Sequence, residues 1–145
     1  MFGSVAAMAH TRPFYTKDID IGVAVDSDQE YWALFQRLTE FGTVDGHSVV
    51  IHDTPVEVFP VDISPIIQDA LDHADRKRVE GIVVKVAPPE HLLLEALRVN
   101  RNQDKGRVFL LDDVIDKQSL RALLERLDDD GELKRRYQTL TGKSS

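Results

Sequence analysis

Three features of the sequence predict a mixed α/β (α+β) fold, in which a small mixed sheet carries packed helices and a helical third closes the chain. Residues 18–25 alternate between branched apolar residues and polar or small ones, as in a half-buried strand. Residues 48–59 hold two short β-branched runs around a turn, which is typical of a hairpin. After Pro88-Pro89, apolar residues recur at helical spacing.

The first half of the chain predicts three helices between its strands. A short one lies in residues 3–11, and a second begins at Ser27, where Glu30 three residues later completes a capping box. Gly42 is the natural end of that second helix. A third begins at Ser64-Pro65. The apolar spacing of the second helix places on its buried face Tyr31, Leu34, Phe35, Leu38 and Phe41, and Trp32 is also expected in the core.

The second half predicts one more strand and then helices. The strand is 81–86, and Asp53-Thr54-Pro55 separates the two earlier strands, 48–52 and 56–59. The expected helices are 89–99, 104–112 and 117–127, with a weaker one at 131–140. We expect one domain over residues 1–145, with a mixed core up to residue 87 and helices beyond it.

Composition limits the classes of function. The 145 residues include no cysteine, so a metal would need oxygen or imidazole ligands. No apolar run approaches the roughly 20 residues of a membrane span and no signal peptide is recognisable, so we expect a cytoplasmic protein. The net charge of −7 argues against broad nucleic-acid binding. We interpret the two basic runs, Arg76-Lys77-Arg78 and Lys134-Arg135-Arg136, as solvated helix ends.

Two aspartates on the first strand are the main candidates for chemistry. Asp18 and Asp20 are two residues apart, so they project on the same side of a strand, about 6.6 Å apart. At an effective dielectric near 20 they would repel by about 2–3 kcal/mol, which a divalent cation between them would relieve. Mg²⁺, or Mn²⁺ in its place, prefers such oxygen ligands.

A third carboxylate would complete such a site. Glu57 is the best candidate, since it is a charged residue between apolar ones on a predicted strand; the alternative is that it only faces solvent. Asp53 and Asp62 resemble turn or cap residues. The five histidines show no close metal-ligand spacing, and His91 is expected to lie alone on a helix.

Gly3-Ser4 precedes the acidic pair by thirteen residues. A small pair before a helix lets backbone N–H groups and the serine hydroxyl approach phosphate oxygens, although a flexible terminus is the alternative interpretation.

These motifs together resemble the DNA polymerase β-type nucleotidyltransferase superfamily, most closely its small bacterial AbiEii-like and minimal members. The matching residues are Gly3-Ser4, the Ala6-Ala7 and His10 that follow, Thr16-Lys17-Asp18-Ile19-Asp20, Pro89-Glu90-His91-Leu92, and then Arg101, Asp104 and Arg107. The resemblance covers roughly residues 1–127. It implies that Asp18, Asp20 and Glu57 are catalytic and hold Mg²⁺. It also implies that Gly3, Ser4 and Lys17 contact the phosphates of a nucleoside triphosphate.

The implied activity is transfer of a nucleoside monophosphate to an acceptor, which is RNA, a protein or a small molecule. A toxin-like role with a cognate antitoxin-like partner is in keeping with the resemblance, and a homodimer is expected. Two departures leave a second hypothesis, a catalytically degenerate relative that acts as a binding or regulatory partner. Ala96 stands where toxin-like members carry a lysine, with Arg98 nearby, and only Met1-Phe2 precede the glycine where the family usually has a helix.

Overall fold

The computed structural model describes residues 1–12, 16–79 and 81–143 and confirms the mixed α/β fold with a helical C-terminal part. The helices are α1 (Gly3–Met8), α2 (Asp28–Thr39), α3 (Pro65–Asp72), α4 (Pro89–Val99), α5 (Asn102–Asp112), α6 (Lys117–Leu127) and α7 (Glu132–Thr141), with a 3₁₀ turn at Val61–Ile63. The strands are β1 (Ile19–Val23), β2 (Thr43–Asp45), β3 (Ser48–Ile51), β4 (Thr54–Pro60), β5 (Asp75–Val79) and β6 (Ile82–Val86).

A four-stranded mixed sheet with the order β1-β4-β3-β2 forms the frame of the first half. The hairpin predicted from residues 48–59 is β3–β4, and the two residues at its tip, His52 and Asp53, have positive φ. After the hairpin, β4 lies parallel to β1 and brings Glu57 opposite Asp20. A long connection is needed because parallel strands cannot be joined by a tight turn, and α2 lies within it.

The core lies between α1, α3 and the C-terminal helices. The predicted core segment of α4 is confirmed, since Leu92, Leu93 and Leu97 are at most 2% exposed. The small side chains of Ala6 and Ala7 let α1 pack against α4, and both are fully buried. None of the described helices is long and apolar enough to cross a membrane.

The predicted burial of one face of α2, and of Trp32 with it, is wrong. No residue of α2 is buried; Trp32 is 56% exposed, and Leu34 and Phe41 also lie at the surface. The helix begins at its predicted cap, where Ser27 accepts a hydrogen bond from the Glu30 N–H, but periodicity shows only which side chains share a face. It cannot show whether another element covers that face, which here is only partly buried, with the Tyr31 hydroxyl donating a hydrogen bond to the Val58 carbonyl.

The basic run at residues 76–78 is not a helix end. It forms most of β5, which pairs with β6 in a two-stranded antiparallel sheet. Strands usually favour branched side chains. Here the branched residues are on β6, and they pair across the sheet with charged residues of β5. The second basic run lies inside α7 instead of at its end.

Candidate active site

The acidic residues predicted from the sequence come together at the junction of β1 and β4. Asp20 is paired in register with Glu57 on the neighbouring parallel strand. Asp18 lies two residues earlier on the same chain segment, where its carboxylate accepts a 2.9 Å hydrogen bond from the Thr16 hydroxyl. Asp18 and Glu57 are both close enough to act electrostatically on Asp20. The three carboxylates therefore form one electrostatic unit.

The surroundings of Asp20 disfavour the ionised form of its carboxyl group. Burial first, and then the negative charges of Asp18 and Glu57, raise its pKa from the ordinary 3.8 to about 6. The positive charges of Arg107 and Arg101 oppose this rise without cancelling it. A carboxylate in this state gains more than an ordinary one from a cation placed beside it.

Gly3 lies directly against the Asp20 carboxylate. A β-carbon on residue 3 would fall 1.5 Å from Asp20 Oδ2, far inside any permissible contact, and the backbone there has φ of +60°. The preceding Phe2 N–H donates a 2.9 Å hydrogen bond to the Asp20 carbonyl, which fixes the start of α1 against β1. Glycine is therefore required here for two reasons. It adopts the positive φ of the turn into α1, and its lack of a β-carbon leaves room for the Asp20 carboxylate.

Two neighbouring cavities receive the predicted residues. The smaller, of about 180 Å³, is lined by Gly3, Asp20 and Glu57 together with Arg101, Asp104 and Arg107. The larger, of about 650 Å³, is lined by Ser4, Lys17 and Asp18, with Arg12, Phe109 and again Arg107. The predicted site is thus divided between the two cavities, with Asp18 in the larger one and Arg107 on the wall between them.

An arginine pair on α5 and its N-terminal cap forms the positive side of the site. Asp104 is fully buried and accepts hydrogen bonds from the Arg101 backbone at 3.0 Å and from Arg101 Nε at 2.9 Å. Its other oxygen lies 3.5 Å from Arg107 Nη1, while Arg107 Nη2 donates to the Ser4 hydroxyl at 2.8 Å. A buried carboxylate with two cationic partners holds both guanidinium groups beside the acidic residues.

These arginines were part of the family resemblance but had no role assigned from the sequence. The signal that could have identified them is the spacing Arg101, Asp104 and Arg107, which puts three charged groups on successive turns of one helix face. The Ser4 hydroxyl oxygen accepts a hydrogen bond from Arg107. Lys17 is exposed at the larger cavity.

The lysine position expected on α4 does not face the site. Ala96 is 2% exposed and belongs to the core, whereas Glu95 and Val99 of the same helix line the smaller cavity. Glu95 is paired with Arg98, whose Nη2 lies 2.6 Å from its carboxylate. The α4 side of the cavity therefore presents the carboxylate of Glu95 and no lysine.

Removing the guanidinium of Arg107 is expected to raise the pKa of Asp20 above about 6, because Arg107 is the largest favourable charge acting on it. Arg107→Gln keeps a polar side chain of similar length. The measurement is an NMR titration of the Asp20 carboxyl carbon without divalent cations. Arg101→Gln is the matched control and should give a smaller rise. An unchanged or lower pKa in Arg107→Gln would show that the two groups are not coupled.

The histidines are not as isolated as their spacing implied. His91 is the single histidine of α4, as expected, but the end of α3 places Asp69 and His73 beside it. The spacing could not reveal this cluster, since residues 73 and 91 lie on different helices with β5 and β6 between them.

No protein-family model matches the chain, and no curated protein matches it at a significant level. The function is therefore inferred from the carboxylates, the glycine and the arginines described above.

Proposed function

We propose that this chain is a Mg²⁺-dependent nucleotidyltransferase that transfers a nucleoside monophosphate from a nucleoside triphosphate to an acceptor. The observation that carries this proposal is the register of Asp20 and Glu57 on parallel neighbouring strands, with Asp18 beside them and Gly3 packed on the Asp20 carboxylate. Two carboxylates and a glycine turn at the smaller cavity, with Asp18 at the adjoining larger one and two arginines nearby, suit a phosphate ligand with its cation.

The donor set fits Mg²⁺ or Mn²⁺. Asp18, Asp20 and Glu57 offer only oxygen, and burial together with the charges of its two neighbours raises the pKa of Asp20 to about 6. These three residues would hold the cation. When bound, it supplies neutralisation of charge on the phosphates and on the leaving pyrophosphate.

The positive residues of the chain would bind and orient the triphosphate. Arg107 lies between the two cavities, Arg101 lines the smaller one, and Lys17 stands at the larger one. In the reaction, an acceptor oxygen forms a bond to the α-phosphorus while the bond from that phosphorus to the bridging oxygen breaks, and pyrophosphate leaves. Positioning and charge neutralisation supply most of the acceleration in such transfers.

The acceptor would occupy the larger cavity, which adjoins Asp18 and has room for a substantial group. RNA, a protein side chain and a small molecule are all compatible with its mixture of Arg12, Lys17 and the half-exposed ring of Phe109. A toxin-like role with an antitoxin-like partner, and a homodimer, belong to the same proposal.

The second candidate is a degenerate nucleotidyltransferase-like protein that binds a partner without catalysis. It is favoured by two observations in the site. The oxygen of the Ser4 hydroxyl, expected to contact phosphate, already accepts a hydrogen bond from Arg107. On α4, Ala96 stands where toxin-like members carry a lysine and is buried, and Glu95 lines the cavity instead.

The two candidates are separated by a transfer assay. The protein is incubated with Mg²⁺, one of the four α-labelled triphosphates at a time, and bulk RNA, a protein lysate or the protein alone as acceptor. We expect pyrophosphate release with label transferred to a macromolecule, and loss of both in Glu57→Gln. If the protein binds triphosphate but neither releases pyrophosphate nor transfers the label, the result would support the degenerate candidate.

A further inference from the structure

A second group of metal-ligating side chains lies at the junction of α3 and α4. Asp69 lies in α3, His73 directly follows the last residue of that helix, and His91 is near the start of α4. One ligand atom from each of the three lies within 4.8 Å of the other two. None of the three residues lines either cavity of the acidic site.

We propose that Asp69, His73 and His91 bind a transition-metal dication, with Zn²⁺ the best fit and water as the fourth ligand. Two imidazoles and one carboxylate are a donor set that favours Zn²⁺ over Mg²⁺ or Ca²⁺. This site is independent of the proposed nucleotidyl transfer. Its consequence for the fold is a bridge that joins α3 to α4.

The present distances are close to those of such a site. Zinc–nitrogen bonds of about 2.0–2.1 Å in a tetrahedron separate neighbouring ligand atoms by about 3.3 Å. His73 Nδ1 lies 3.4 Å from Asp69 Oδ2, which meets this spacing, but it also donates a 2.8 Å hydrogen bond to the Asp69 carbonyl that a metal would have to replace. His91 Nε2 lies 2.7 Å from the same oxygen, so this pair would open by about 0.6 Å. The two rings stack with centroids 5.7 Å apart, so both imidazoles approach the carboxylate from one side.

Burial and exposure together give the site an entrance. His91 is only 4% exposed and the Asp69 side chain 19%, whereas the His73 side chain is 54% exposed. A metal ion would enter past His73.

Two further contacts limit the affinity of this site for a metal ion. Arg126 Nη2 lies 2.7 Å from Asp69 Oδ2, so the half-exposed guanidinium must swing away for a metal to bind. His91 Nδ1 has no hydrogen-bond partner among the described residues, and ligation through Nε2 would leave a proton on it without an acceptor. Because ligating histidines usually have such an acceptor, we expect affinity in the roughly micromolar range instead of the tighter binding of a structural zinc site.

The test is a calorimetric titration of the whole chain with zinc chloride in excess Mg²⁺, repeated with Co²⁺ to record the visible absorption of a tetrahedral site. We expect one ion per chain. His73→Gln removes an exposed ligand with little risk to folding, and should weaken binding by at least about tenfold. His47→Gln, an exposed histidine in the turn before β3, is the matched control and should leave binding unchanged.

Two further variants keep the proposal falsifiable. Arg126→Met is expected to tighten zinc binding by up to about fivefold, because it removes a competing ion pair. Asp20→Asn is expected to retain zinc binding, since it belongs to the other site. Absence of zinc binding in the wild type, equal binding in wild type and His73→Gln, or loss of it in Asp20→Asn alone would each overturn the proposal.

Discussion

Replacing Asp20 with asparagine is expected to raise the free energy of unfolding at pH 7 by about 2 kcal/mol in the absence of divalent cations. Asp20 has a pKa of about 6 in the folded protein and an ordinary value of 3.8, which is the value expected on unfolding. Converted in full to free energy, that difference in pKa gives a penalty of about 3 kcal/mol. Because the side chain is partly exposed, solvent screening reduces the penalty to about 2 kcal/mol. Asparagine removes this penalty because it carries no charge.

The pH dependence identifies the cause. Between pH 4 and pH 6 the folded protein retains the proton on Asp20 that the unfolded chain has released, so this group makes stability fall as pH rises through that window. The gain in Asp20→Asn should therefore be near zero at pH 4 and reach its full size above pH 6. Urea unfolding at a series of pH values measures it. Asp45→Asn, an exposed acid on the far edge strand β2, is the control and should show no such trend. An Asp20→Asn protein less stable than wild type at pH 7 would contradict the electrostatic description.

Adding a β-carbon at Gly3 is expected to cost at least about 3 kcal/mol of stability. Alanine at φ of +60° costs roughly 1–2 kcal/mol, and the new carbon would lie 1.5 Å from Asp20 Oδ2, which forces the carboxylate or α1 to move. Because Asp20 is the carboxylate displaced, Gly3→Ala should also abolish Mg²⁺-dependent triphosphate binding. Thermal unfolding and calorimetry on the same preparation measure both effects.

The chain provides a matched control for this substitution. Gly46 has the same φ of +60°, but no atom lies within 4 Å of the position where its β-carbon would stand. Gly46→Ala should therefore show the backbone cost alone, about 1–2 kcal/mol. In an Asp20→Ala background the cost of Gly3→Ala should fall to that of Gly46→Ala. Equal costs for the two glycines in the wild-type background would show that the contact with Asp20 is unimportant.

The parts of the fold that depend on local pattern were predictable. The alternation around Asp18 and Asp20, the turn before β4, the cap at Ser27 and the proline that begins α3 each act over a few residues, and the structure forms β1, β4, α2 and α3 there. The predicted cap Ser64 precedes that proline, but its side chain makes no capping hydrogen bond. The choice of Glu57 also depended on a local feature, a charge between apolar residues on a strand. Its position opposite Asp20 could not be predicted, because parallel pairing joins segments far apart in sequence.

The parts that depend on tertiary partners were missed. The aromatic side of α2 has helical spacing but lies at the surface, and the basic run 76–78 is a strand only because β6 pairs with it. The role of Arg107 depends on its reach to Ser4, which is 103 residues away in the chain. The same limit hid the approach of His91 to Asp69, since the separation of two helices is fixed by packing and not by local sequence.

The central claim, that Asp18, Asp20 and Glu57 bind a cation with a nucleoside triphosphate, is tested most directly by calorimetric titration of ATP and the other triphosphates at pH 7.5, with and without Mg²⁺. The wild type should bind at least one triphosphate only when Mg²⁺ is present. The folded Asp18→Asn/Asp20→Asn variant should bind it at least about a hundredfold more weakly. A folded wild type that binds no triphosphate, or a double variant that binds as tightly as wild type, would contradict the claim.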